Sequence, residues 1–228
     1  MKVKFLSFIA PVIMGAILFS CGNGETKKKE ESKTDKIEEA KKKVCKYAYD
    51  NKNTTVKWTA FKFTERAGVG GTLDSFTVKA GGPVEEPYKI LNELEFEINT
   101  ASVNSNNPDR DKKIVVFFFG KMENSNIITG KVIEVNGSPR EGNVMVNLTL
   151  NGKSFAQQMK YFVEGNSVTI NGQIDMVNWG AQGSVDALNN VCLDLHTGQD
   201  GTSVLWSDVD IEVVSILKET SKTPCRQL

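Results

Sequence analysis

Between Ile127 and Met176 large apolar residues recur at every second position, and short turn signals interrupt them. Val144, Val146, Leu148 and Leu150 alternate with polar partners up to Asn151-Gly152. Lys153 to Val163 then leads to Glu164-Gly165-Asn166, and Val168, Ile170, Ile174 and Met176 resume the pattern. A period of two places alternate side chains on opposite faces of a strand, and Asn-Gly between alternating runs is the strongest short-range hairpin signal. Asn136-Gly137, after the β-branched run Ile127–Val135, is read as a second turn of this kind, and Gly172 as a bulge or bend. A chain built this way must pair its strands antiparallel.

The pattern extends toward both ends of the body. Leu94, Phe96 and Ile98 alternate with Glu93, Glu95, Glu97 and Asn99, the mark of a strand with one wet face. Val56, Trp58 and Ala60 share one parity and Phe61 and Phe63 the other, so the first strand carries apolar bulk on both faces. A last strand is expected over Val209–Leu217. Two stretches break the period: Pro108–Met122, read as a short helix or crossover, and Ser184–Leu195. In the latter Val185, Leu188, Val191, Cys192 and Leu195 are at helical spacing, with Ser184 as N-cap and Gly198 past the end. About eight antiparallel strands with one or two short helices, and no βαβ alternation, give an all-β protein, a closed barrel or a sandwich.

The first 43 residues differ from this body. Lys2 and Lys4 precede Phe5–Phe19, where 12 of 15 residues are apolar and none is charged. As a helix this run reaches only about 22 Å, short of a hydrocarbon core of about 30 Å, so residues 1–20 read as a secretory signal peptide. Leu18-Phe19-Ser20-Cys21 resembles the lipobox of bacterial lipoproteins, which implies that Cys21 becomes an acylated N-terminus and anchors the chain to a membrane. Residues 21–43 follow as a tether. In Gly22–Lys43, 14 of 22 residues are charged, too polar to bury a core. The domain proper is then 44–228.

Charge and functional groups narrow the chemistry. The whole chain balances 28 basic against 28 acidic residues, and residues 44–228 carry 18 against 22, which offers no field for nucleic acid. His196 is the single imidazole; with Cys192 it makes an i,i+4 pair, too few ligands for a zinc site. Arg110-Asp111 reads as an ion pair or turn cap rather than an acid and its base. No nucleophile elbow, phosphate loop or paired carboxylates are present, so the expectation is a protein that is not an enzyme and needs no cofactor or metal. With Cys21 acylated, Cys45, Cys192 and Cys225 remain in an oxidising compartment. One disulfide is expected, Cys192 with Cys45 or Cys225.

Five blocks occur in an order that resembles the YceI-like family: Trp58-Thr59-Ala60-Phe61-Lys62-Phe63, Gly68-Val69-Gly70-Gly71-Thr72, Ile98-Asn99-Thr100-Ala101-Ser102-Val103, Arg110-Asp111 leading to Phe117-Phe118-Phe119, and Leu148-Thr149-Leu150-Asn151-Gly152. They cover about residues 47–180. The resemblance implies a lipocalin-like antiparallel β-barrel that holds a polyisoprenoid or quinone-like lipid in its interior, in an exported, lipid-anchored protein of the cell envelope, at the outer membrane. Thr55 and Lys62 stand where many members carry His, so any ligand contact by those imidazoles is missing, and Ser184–Asp208 resembles an elaboration found in lipoprotein members.

An eight-stranded barrel is either filled by its own side chains or holds one small ligand. The inward positions expected to meet a ligand are Trp58, Phe96, Ile98, Val146, Leu148, Ile170, Ile174 and Trp179. The competing reading is a filled barrel, whose lipoprotein would serve envelope assembly through protein contacts. Phe117-Phe118-Phe119 is read as a gate or membrane contact at the barrel mouth, or as a crossover packed on the barrel.

Overall fold

The computed structural model describes residues 44–221. The signal peptide, Cys21, the tether and Cys225 lie outside the described residues.

In chain order the strands are β1 (Tyr47–Ala48), β2 (Thr54–Lys62), β3 (Ala67–Leu73), β4 (Phe76–Lys79), β5 (Glu95–Asn99), β6 (Val103–Asn104), β7 (Ile127–Gly137), β8 (Glu141–Leu150), β9 (Lys153–Glu164), β10 (Ser167–Asp175), β11 (Leu205–Ile216) and β12 (Lys218–Glu219). The α-helices are α1 (Pro108–Lys113), α2 (Gln182–Val191) and α3 (Leu193–His196). Ten strands form one antiparallel sheet in the order β4-β5-β7-β8-β9-β10-β11-β2-β3-β6. Its two ends come together, because β4 continues β3 and β6 continues β5. Thr72 pairs with Asn104 and Leu73 with Val103, while Phe76 pairs with Ile98 and Lys79 with Glu95. Between these ladders Asp74 N donates to Ser102 O (3.1 Å) and Asn99 N to Ser75 O (2.9 Å). The sheet therefore curls round and joins itself through these two continuous segments, as eight staves.

Local chemistry sets the turns. Asn151 (φ 50°) and Gly152 (φ 67°) both adopt the left-handed region, as a two-residue hairpin of the primed type requires, and Gly165-Asn166 joins β9 to β10. Asn136-Gly137 is not a turn. Both residues are still paired, with Asn143 and Gly142, and the chain reverses at Ser138–Arg140, where Ser138 Oγ accepts from Arg140 N and Glu141 N (both 3.2 Å). Gly172 is not a bulge either: β10 pairs with β11 without a register shift from Ser167 to Asp175. The ladder from β10 to β9 instead stops at Asn171–Lys160. The irregularities lie elsewhere, at exposed Ile133 in β7 and between Leu205 and Val209 in β11.

Helical segments cover one end of the barrel. α1 is capped by Asn107, whose Oδ1 accepts from Arg110 N (3.1 Å), and has Pro108 in its first turn. It runs on as a π-helical turn, Ile114–Phe118, and a 3₁₀ turn, Phe119–Lys121. α2 begins three residues before the expected start, with Ala181 rather than Ser184 at the N-cap, so that Ser184 lies inside the helix and is buried; a break at Cys192 separates α3. The opposite end is plugged by the 3₁₀ turn Pro87–Leu91, which buries Ile90 and Leu91. β1 and β12 pair at that same end, below the close of β11.

Interior bulk is accommodated by glycine on the adjacent stave. A Cβ at Gly130 would stand 2.1 Å from the Phe96 ring, at Gly71 2.7 Å from Trp58, at Gly142 2.7 Å from Tyr161, and at Gly172 2.9 Å from Met159. Tyr161 stacks on Tyr88 of the plug (6.0 Å, 8°) and its hydroxyl donates to Ser138 O (2.7 Å). Burial pushes the phenol pKa up, in keeping with a protonated donor. Trp179 has no exposed surface and donates through Nε1 to Leu148 O (3.0 Å), pinning the Met176–Trp179 turn to β8.

The cysteines differ from expectation. Cys45 is disulfide-bonded, but Cys192 is a free, buried thiol and is not its partner. The length of β11 separates them: Cys45 adjoins β1 at the plugged end, and Cys192 caps α2 at the helical end. A staple from Cys192 to Cys45 or Cys225 is therefore not formed.

Tyr161→Phe is expected to lower unfolding stability by about 1 kcal/mol through the lost hydrogen bond. Trp179→Ala is expected to cost about 3–5 kcal/mol by leaving a core cavity. Urea titration followed by circular dichroism measures both.

Candidate functional site

The inward parity of the staves and the two plugs enclose a cavity of about 230 Å³. Trp58, Phe96, Ile98, Val146, Leu148, Ile170 and Ile174 line it together, drawn from β2, β5, β8 and β10. Trp179 is not among the lining residues; it is buried in the interior cluster with Leu148, Ile174 and Met176, edge-on to Phe155 at 5.4 Å. The register explains the convergence. Val56, Trp58 and Ala60 stand opposite Val213, Ile211 and Val209, and all six side chains face inward.

Several lining residues escape the sequence pattern. Ile114, Phe118 and Phe119 enter from the helical crossover, Val185 and Leu188 from α2, and Ile90 and Leu91 from the plug. The available signals were the Pro87 start before an apolar pair and the 3.6 spacing of α2; neither tells which way a short turn faces. Phe118 and Phe119 pack over the cavity at the mouth, edge to face at 5.1 Å, with Phe119 buried. The triple-Phe run is thus a crossover lying across the barrel end.

The wall is almost entirely carbon, and its few polar side chains are occupied elsewhere. Thr54 Oγ1 donates to Asp50 O (2.9 Å), leaving Ser215 Oγ to donate to Thr54 Oγ1 (2.8 Å). Trp58 Nε1 donates to Thr72 O (3.2 Å), Trp206 Nε1 to Phe63 O (2.7 Å) and Gln157 Nε2 to Gln158 O (3.0 Å). Among the described residues, no Lys, Arg, Asp or Glu lines the cavity. Such a space favours an apolar occupant by desolvation, about 0.8 kcal/mol per buried methylene, and offers a charge no partner.

Charged groups stay on the outside. Arg66 forks onto Asp208 and lies over the rings of Phe61 (4.5 Å) and Trp206 (4.6 Å), which accounts for the outward aromatic of β2. The guanidinium holds the Asp208 carboxyl below the usual carboxylate range. Asp111 Oδ1 accepts from Ser105 N (2.9 Å) and Ser105 Oγ (2.5 Å), a structural cap at the start of α1. His196 Nδ1 meets Asn189 Oδ1 at 2.9 Å. Burial, with Lys62 and Lys113 nearby, lowers its pKa to about 4. Among the described residues, His196 and Cys192 gather no further groups into a cluster that could hold a metal.

A sequence profile described as YceI-like domain matches residues 47–214. Among solved structures, BcnA of Burkholderia cenocepacia is 12% identical, with a TM-score of 0.52 over 74% of this chain and 98% of that one. A polyisoprenoid binding domain from Saccharophagus degradans, implicated in plant cell wall breakdown, is also 12% identical, at 0.52 over 77% and 98%. A Campylobacter jejuni YCEI protein is 16% identical, at 0.51 over 71% and 90%. These likenesses concern the fold. No curated protein matched the chain.

The unfolded chain takes up a proton at His196 near pH 6.5, whereas the folded one waits until about 4, so acid favours unfolding between those values. The contribution is complete above 6.5 and is lost as pH falls toward 4. His196→Gln is expected to show a smaller drop in melting temperature between pH 7 and pH 4.5 than the wild type, measured by thermal melts in matched buffers.

Proposed function

The chain belongs to the YceI-like domain family, and from that premise we propose that it carries a polyisoprenoid or quinone-like lipid in its barrel, without catalysis, as an exported envelope lipoprotein anchored through Cys21. The observation that carries this reading is the apolar cavity itself. It spans inward faces from most of the staves, both ends are plugged by apolar side chains, and its polar atoms are paired within the wall. A linear hydrocarbon gains from every methylene it buries there, so affinity requires no ionic anchor. The neighbouring fold described as a polyisoprenoid binding domain supports the same ligand class. A filled barrel acting through protein contacts is not favoured, because the interior holds open space. The lipobox-like Leu18-Phe19-Ser20-Cys21 and the charged segment after it support a membrane-tethered carrier.

Native mass spectrometry of Cys21→Ser protein, purified from a periplasm without detergent, is expected to show an added mass that lipid extraction identifies as a prenyl chain. Trp58→Glu and Ile170→Glu place a charge in the carbon wall and are expected to weaken binding of an added isoprenoid by about a hundredfold or more. An apo mass that takes up no offered isoprenoid overturns the reading. For the anchor, labelled palmitate is expected to enter the wild-type chain and to be absent from Cys21→Ser.

A further inference from the structure

Among the backbone ladders of the barrel wall, the one between β9 and β10 stops short of its neighbours. β8 and β9 pair along their whole length, Glu141–Phe162 to Leu150–Lys153, and β10 and β11 pair from Ser167 to Asp175. β9 and β10 pair only over Lys160–Glu164 and Ser167–Asn171. Toward the helical end, Lys153–Met159 and Gly172–Asp175 are held from one side each. Residues on both margins of this slot line the cavity: Gln157 and Met159 from β9, Ile170 and Ile174 from β10.

Side chains alone close the slot. Met159 packs over Gly172, where even a Cβ would meet its Cγ at 2.9 Å. Gln157 turns its amide to the carbonyl of Gln158 (3.0 Å), covering one acceptor of the unpaired strand margin. At the top, Phe155 leans on Trp179. The two barrel ends are closed differently. One is plugged by Ile90 and Leu91, the other by Phe119 and Val185, all buried in packed clusters. Opening either end must unpack residues buried inside such a cluster, whereas opening the slot breaks no ladder hydrogen bond and asks for new rotamers of Gln157 and of flexible Met159, which packs against both clusters from their margin.

We propose that this slot between β9 and β10 is the doorway through which a lipid chain enters and leaves the cavity. The inference rests on the carrier reading above. It implies cargo with a narrow, linear end, because a slot one strand-gap wide passes a prenyl chain and excludes a fused ring system.

The test bridges the slot. Continuing the register two steps from Asn171–Lys160 sets Gln173 opposite Gln158, both exposed and outward-facing. In a Cys192→Ala background, Gln158→Cys and Gln173→Cys are joined by a short bis-maleimide, with monofunctional maleimide on the same pair as control. Binding of a tetraprenyl benzoquinone is followed by stopped-flow quenching of tryptophan. Bridging is expected to slow both uptake and release by about tenfold while the Kd stays within about twofold, since the block lies on the path and not at the destination. Met159→Ala, which widens the slot, is expected to speed both rates. It keeps the question answerable where the bridged form does not fold. Rates unchanged by the bridge, or slowed only by a bridge between Val116→Cys and Val191→Cys on the helical cap, overturn the doorway and leave the carrier intact. Absence of quenching in the unbridged protein overturns both.

Discussion

Large interior side chains lying over glycines on the neighbouring stave shape everything else in this barrel. An eight-stave barrel is narrow enough for its own residues to fill it. Here Phe96 lies over Gly130, Trp58 over Gly71 and Tyr161 over Gly142, so rings press against the wall. Each glycine deletes the side chain that would otherwise push the ring into the centre. A cavity survives because the wall absorbs its own bulk. Substituting any of these glycines removes room from the ring above it, with the ring or the strand obliged to move.

Closure by two composite staves has a similar economy. β3–β4 and β5–β6 are each interrupted, at Asp74-Ser75 and at Thr100–Ser102, yet the interruptions face one another and are bridged by backbone hydrogen bonds. The break in the β5–β6 stave also turns the chain outward into the crossover that carries α1 and the Phe118-Phe119 pair over the mouth. Closure and capping therefore come from one chain segment.

Much of this was legible in the sequence. Strict alternation at Val144–Leu150 and Val168–Ile174 gave strand, face and burial together, and the Asn151-Gly152 hairpin followed from its need for two left-handed residues. Asn136-Gly137 misled because the same dipeptide can sit inside a ladder when the residues directly after it, Ser138 and Pro139, supply the turn. Trp179 was read as inward and is buried in the interior cluster, but it does not reach the cavity, since period-two reasoning ends where the strand ends, at Asp175. The plug residues Ile90 and Leu91, and the direction of the triple-Phe run, depend on how short helical turns dock, which is a property of tertiary packing. The cysteine pairing failed for a related reason: counting thiols says nothing about which barrel end each one reaches.

The partial ladder on β9 gives one strand two unequal halves. From Lys160 to Glu164 its backbone is clamped by neighbours on both sides; from Lys153 to Met159 only β8 holds it. Local opening free energies in folded proteins follow such differences in protection. Amide exchange along β9 should therefore change character near Met159, slow and tied to global unfolding toward Glu164, faster and local toward Lys153. The strand is at once part of the rigid frame and the margin of a soft seam.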